Sequence, residues 1–133
     1  MAIEISVSQE LIDTVMKHYL MAMEFTDFGP DEVGSGNCRP RMSEEMTVQV
    51  LRECGNFYMQ NYGRIIDRNL KTEGDAIKQA GHDFWLTRNG HGAGFWDGDW
   101  LEPAASALDA YSSKAGPVSV YVRDDGLLYQ MGG

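Results

Sequence analysis

Cysteine, basic side chains and long apolar runs are all scarce in this sequence. Cys38 and Cys54 are the only cysteines among 133 residues, too few for a disulfide framework or a metal knuckle. Cys54 reads as a small reduced core residue and Cys38 as a loop thiol. No apolar run is long enough to span a bilayer, and Met1 to Val7 has neither the basic start nor the apolar centre of an export signal. A cytoplasmic location is therefore expected, with no membrane partner. Lys and Arg total 11 against 20 Asp and Glu, giving a formal net charge of −9. That balance disfavours direct binding to nucleic acid or an anionic surface; an acidic surface first of all keeps a small protein soluble, and it can also complement a basic protein.

What is present fits one domain over residues 1–133. Hydrophobic residues at 43% and charged residues at 23% are ordinary for a globular chain. Ser6-Val7-Ser8-Gln9 offers a capping box, and Leu11, Ile12, Val15, Met16, Tyr19, Leu20, Ala22 and Met23 predict a helix from about Val7 to about Phe25. Thr26 to Arg41 reads as a glycine- and proline-rich loop. Ser43 caps a second helix, with Glu44 and Glu45 in its first turn and Met46, Val50, Cys54, Phe57, Tyr58, Asn61, Tyr62 and Ile65 recurring to about Arg68. Thr72-Glu73-Gly74-Asp75 starts a short helix ending near Ala80, with Gly81 in a left-handed position after it. Pro103 opens a last helix carrying Leu101, Ala104, Leu108 and Tyr111 inward, and Gly116-Pro117 stops it.

Two hairpins are predicted in the second half. Asn89-Gly90 is a preferred type I′ pair, which would set Phe84 opposite Phe95 and His82 opposite Asp97. Phe84, Leu86, Ala93 and Phe95 then form a core face. Asp83, Trp85, Thr87, Gly92, Gly94 and Trp96 take the other, where the tryptophans either cover bare glycine backbone or form an aromatic shelf for a partner. Asp125-Gly126 predicts the second type I′ turn, pairing Val122 with Tyr129 and Val120 with Met131. Helices first and strands last give an α+β fold, with N-terminal helices packed on a small antiparallel sheet made of the two C-terminal hairpins.

Chemistry-bearing residues concentrate in His82, Asp83, Arg88, His91, Asp97 and Asp99. In the hairpin register His82 and Asp97 meet at the open end, where the imidazole could be oriented as a base or simply tie the hairpin down. His91 falls at the opposite end, so the histidines do not converge on one metal, and no serine or cysteine has an activating neighbour. No catalytic residue, metal or cofactor is assigned. Asp83, Trp85, Arg88, His91, Trp96 and Asp97 are instead the candidate binding residues.

The segment from Gly81 to Asp97, Gly-His-Asp-Phe-Trp-Leu-Thr-Arg-Asn-Gly-His-Gly-Ala-Gly-Phe-Trp-Asp, resembles the signature block of a family of short, uncharacterised bacteriophage proteins. Looser similarity extends to Cys54 with Phe57 and to the closing run from Tyr121 to Tyr129. Two departures are Gly98, where the family commonly has Arg, and the glycine-rich stretch with Cys38 after Met23-Glu24-Phe25. The resemblance implies phage origin and expression in a bacterium, and it carries no activity. The leading expectation is a small accessory protein that binds a host or phage protein, including the version in which an acidic surface antagonises a host defence or nucleic-acid-binding protein. The alternative is an enzyme or a small-molecule or metal binder built on His82, Asp83, His91 and Asp97.

Overall fold

The computed structural model describes residues 2–35, 41–91 and 93–132, with side chains in the first stretch placed from residue 9 to residue 27. Among the described residues four helices precede a two-stranded antiparallel sheet: α1 (Ala2–Ser35), α2 (Glu44–Asn61), α3 (Ala76–Arg88), α4 (Ala104–Ala115), β1 (Val118–Val122) and β2 (Leu128–Gly132), with a 3-10 turn at Asp67–Asn69. The chain is an α+β protein. Among the described residues no helix is long and apolar enough to cross a membrane.

Helix α1 continues through the stretch expected to be a loop as far as Ser35. Cys38 lies outside the described residues, as do the side chains of Asp31 and Glu32. The inward face of α1 is formed by Val15, Tyr19, Ala22 and Met23. Helix α2 starts as its sequence predicts, because the Ser43 hydroxyl accepts the Met46 amide at 3.0 Å. It ends earlier than expected, at Asn61, whose side-chain amide donates to the Phe57 carbonyl while its own carbonyl accepts from Arg64 and Ile65. Helix α4 begins and ends where expected, although Leu101, expected to face inward, is exposed.

The first predicted hairpin does not exist, so the sheet is built from one hairpin only. Residues 76–88 form α3, capped by Asp75, whose carboxylate accepts the Ile77 and Lys78 amides. Helix burial explains the misreading: Asp83 to Arg88 are all buried, and a helix end surrounded by protein has no exposed stripe to reveal its 3.6-residue period. The apparent alternation of Phe84 and Leu86 is incidental.

Asn89-Gly90 is the end of this helix. A type I′ turn needs positive φ at both central residues, yet Asn89 has φ −100° and only Gly90, at φ 66°, is left-handed. Gly90 N–H donates to the Thr87 carbonyl and His91 N–H to the Leu86 carbonyl, which is the bond pair of a Schellman motif with Gly90 just past the cap. Asn89 also ties the helix to the sheet, its carboxamide oxygen accepting the Val118 amide at 2.9 Å and its NH2 donating to the Trp85 carbonyl at 3.0 Å.

Gly81 stands in mid-helix, not after a helix end. A β-carbon there would lie 2.2 Å from the Val15 carbonyl oxygen of α1, so glycine is what lets the two helices touch. Around this contact Tyr19 meets Trp85 edge-on at 5.2 Å between ring centroids, and Phe84 stacks on Phe57 at 4.3 Å.

The C-terminal hairpin forms with a register one residue from expectation. Val122 pairs with Leu128, Tyr121 with Tyr129 and Val120 with Gln130. Arg123 and Leu127 close a three-residue loop in which only Gly126 has positive φ, the arrangement of a turn followed by a glycine bulge. Asp125 favours this loop because its carboxylate accepts both the Leu127 amide and the Tyr129 hydroxyl. The segment before α2 joins the opposite edge of β2, Ser43 N–H donating to the Leu128 carbonyl and Leu128 N–H to that of Arg41.

Candidate functional site

The six candidate binding residues divide between the interior and the surface. Asp83, Trp85 and Arg88 are buried on α3, whereas His91, Trp96 and Asp97 are exposed on the segment that follows it. The expected shared face of Trp85 and Trp96 is therefore absent: Trp85 is 1% exposed and Trp96 61%. On a helix Trp85 turns towards α1, where its indole N–H donates to the Thr26 hydroxyl at 2.8 Å.

Arg88 is the centre of an internal network. Its guanidinium pairs with Glu53 of α2 at 2.5 Å, donates to the Tyr19 hydroxyl at 3.2 Å and donates to the carbonyls of Gly116 and Ala115 at the end of α4. It also lies over the Phe84 ring. Gln130 of β2 donates to the other Glu53 oxygen. One arginine thus joins α1, α2, α3 and the entry to the sheet, a use the planar five-donor fork permits and an ammonium does not. Burial pushes the Tyr19 hydroxyl pKa well up, Arg88 opposing the rise, so the phenol stays a neutral partner.

Asp83 is the second internal node. Its carboxylate accepts from the Trp100 indole at 2.8 Å, from the Gln79 amide and from His82 Nδ1 at 3.1 Å. The Trp100 bond anchors the end of the segment that follows α3. That segment folds back along its own helix: Phe95 N–H donates to the Thr87 hydroxyl, and Gly94, at φ 138°, passes so close that a β-carbon would meet Thr87 Oγ1. Gly94 is thus explained by Thr87. Gly92 is outside the described residues. Beyond, the Asp99 carbonyl accepts the Lys71 amide, and Leu101 N–H donates to Asn69.

His82 and Asp97 do not form a hydrogen-bonded pair; the partner of His82 is its neighbour Asp83. The imidazole, about half exposed, has its pKa raised above 6.5 by the Asp83 hydrogen bond, against burial and with help from the charges of Asp83, Asp97 and Asp99. Asp99 is raised by burial and by Asp97 and Asp83. His91 stands apart, ring over ring with Trp85, in a depression lined also by Asp27 and Asn89. Among the described residues no three His, Cys, Asp or Glu side chains converge as a metal site.

Two measurements check this geometry. Because the folded His82 pKa is raised, its stabilising contribution is complete below about pH 6.5 and is lost as pH rises through the folded value. His18, lowered by burial and then by Lys78 and Lys17, acts in the opposite direction. The difference between wild type and His82→Gln in thermal melts from about pH 6 to about pH 8 isolates the first effect; it is expected to shrink with rising pH, and a constant difference would contradict the Asp83 bond. In acrylamide quenching, only Trp96 is expected to respond, since Trp85 and Trp100 are buried. Trp96→Phe should abolish the quenchable emission.

Sequence reasoning missed Glu53, Tyr19, Trp100 and Gln130 as partners. None carries a local signal, because each comes from outside α3, Gln130 joining only through Glu53 of α2. The fold and these nodes define an α+β domain whose aromatic and charged block is mostly an internal lock. No protein-family model matches this chain, and no curated protein or solved structure matches it either.

Proposed function

We propose that this is a small phage accessory protein that acts by binding another protein, through the loop that carries Trp96. The observation that carries the reading is an indole 61% exposed on a loop pinned by the Phe95–Thr87, Asp97–Gly94 and Lys71–Asp99 hydrogen bonds. A pre-ordered tryptophan loses little freedom on contact, and tryptophan is among the residues that most often dominate interface energies. The exposed Asp97 and Asp99 follow it in the chain, so the favoured partner surface offers an apolar cleft with basic groups at its rim. A host or phage nucleic-acid-binding protein has that chemistry, which is the antagonist version of the reading. Beside the indole lies a hollow of about 200 Å³ lined by Lys71, Phe95, Trp100 and Glu102 among others, able to receive one side chain of the partner.

The alternative of an enzyme or metal binder on His82, Asp83, His91 and Asp97 drew its geometry from the first hairpin. With that stretch helical, Asp83 is committed to Trp100 and Gln79, and His91 lies in a different depression. Affinity capture from bacterial lysate tests the binding reading, comparing wild type with a Trp96→Ala, Asp97→Asn, Asp99→Asn variant. Capture of a basic protein by wild type and its loss, with unchanged melting, in the variant is the expected result. Equal capture by both proteins, or none by either, would reject this surface.

A further inference from the structure

Helix α2 carries a second apolar face. Flanking its buried residues, Val48, Leu51, Met59 and Tyr62 are exposed by 59, 39, 53 and 61%. At about 100° per residue they fall, with Gly55, within an arc of about 80°. Exposed aliphatic residues scattered singly need no explanation, but a contiguous stripe along a helix does.

Gly55 marks the middle of that stripe, and a β-carbon there would meet nothing within 4 Å. The folded subunit gives this glycine no reason, although glycine weakens a helix interior relative to alanine. Elsewhere in the same chain a mid-helix glycine has an evident purpose: Gly81 lets α1 and α3 touch backbone to backbone.

The stripe is also its own mirror about Gly55. Leu51 stands four residues before it and Met59 four after, Val48 seven before and Tyr62 seven after. Two copies of α2 packed antiparallel therefore set Leu51 against the partner's Met59 and Val48 against the partner's Tyr62, with the two Gly55 backbones together on the axis. That self-complementarity is what an isologous two-fold contact requires. Charge agrees, since Glu44 and Glu45 in the first turn come beside the end of the other α2, which is followed by the exposed Arg64 and Arg68.

We infer that α2 is a homodimerisation helix, the occupant of its outer face being a second copy of this chain, crossed antiparallel at Gly55. The dimer is independent of the Trp96 surface and would present two copies of it.

Sedimentation over a roughly hundredfold concentration series checks the proposal, because dimerisation follows mass action. Wild type should move from monomer to dimer, while Leu51→Glu with Met59→Glu should remain monomeric at every concentration with its melting cooperativity kept. Cysteine crosslinking in a Cys38→Ser background adds a readout of geometry. Leu51→Cys with Met59→Cys should oxidise to a covalent dimer, since the crossing sets residue 51 against the partner's residue 59. Arg52→Cys with Gln60→Cys, displaced from the seam, should do so at least about tenfold more slowly. A monomeric wild type, a dimer indifferent to the two glutamates, or equal crosslinking by the two cysteine pairs would each overturn it.

Discussion

Arg88→Ala is expected to cost about 3–5 kcal/mol, the usual loss when one member of a buried ion pair is removed. A domain of this size has about 5–15 kcal/mol in all, so the variant should melt far below wild type or fail to accumulate folded. The cause is what remains behind. Glu53 would keep its charge with only Gln130 to hold it, the Gly116 and Ala115 carbonyls would lose a donor, and so would the fully buried Tyr19 hydroxyl. The guanidinium that lies over the Phe84 ring would also leave a void.

Graded variants separate charge from shape. Glu53→Gln keeps an acceptor for the guanidinium and should lose less than Arg88→Ala. Arg88→Lys keeps the charge but cannot reach Glu53, Tyr19 and two carbonyls together, so it should fall between them. Urea unfolding gives the order. If Arg88→Ala unfolds within about 1 kcal/mol of wild type, the network is not the lock described above.

Gly81→Val is the second large effect, with Gly81→Ala milder in the same direction. Alanine would gain about 1 kcal/mol of helix propensity, yet its β-carbon would sit 2.2 Å from the Val15 carbonyl oxygen and 3.1 Å from its Cα. Those atoms are backbone in the middle of α1, so relief requires the helices to separate. Separation loosens the Tyr19–Trp85 and Tyr19–Phe84 ring contacts and the Trp85–Thr26 hydrogen bond. Overpacking of this kind costs about 1–3 kcal/mol and sometimes more. The expectation is therefore a net loss of about 2 kcal/mol for alanine and more for valine. Gly55→Ala supplies the internal control: with open space at its β-carbon, it should stabilise the dilute subunit by up to about 1 kcal/mol. Opposite signs at two mid-helix glycines distinguish close packing from propensity, and chemical denaturation of all three variants reads them directly.

Several features were legible because their physics is local. Ser43 can be seen as a cap from the residues beside it, and Gly116-Pro117 as a stop, since each acts within a turn of its own position. The inner face of α2 follows from its period. The α+β class followed from helical periods early and alternating valines late. Asp125-Gly126 correctly marked a turn, but whether two or three residues close it depends on the φ of Asp125 and the reach of its carboxylate to Tyr129, so the register moved by one.

The block from Gly81 to Asp97 belonged to a different case. Its density of aromatic, glycine and charged residues was real, and Phe84, Leu86 and Phe95 are core as expected. Asn-Gly, however, serves equally as a hairpin turn and as a helix end, because both need glycine in the left-handed region. What decides between them is distant in sequence: Val15 approaching Gly81, Glu53 and Tyr19 engaging Arg88, Thr26 receiving the Trp85 indole and Trp100 reaching Asp83. By itself the sequence determined the Ser43 cap, the inner face of α2 and the acidic balance, which are properties of neighbours and sums. Only the tertiary structure decided that Asp83, Trp85 and Arg88 are spent on internal bonds while Trp96 is left to solvent, because burial is set by which elements meet.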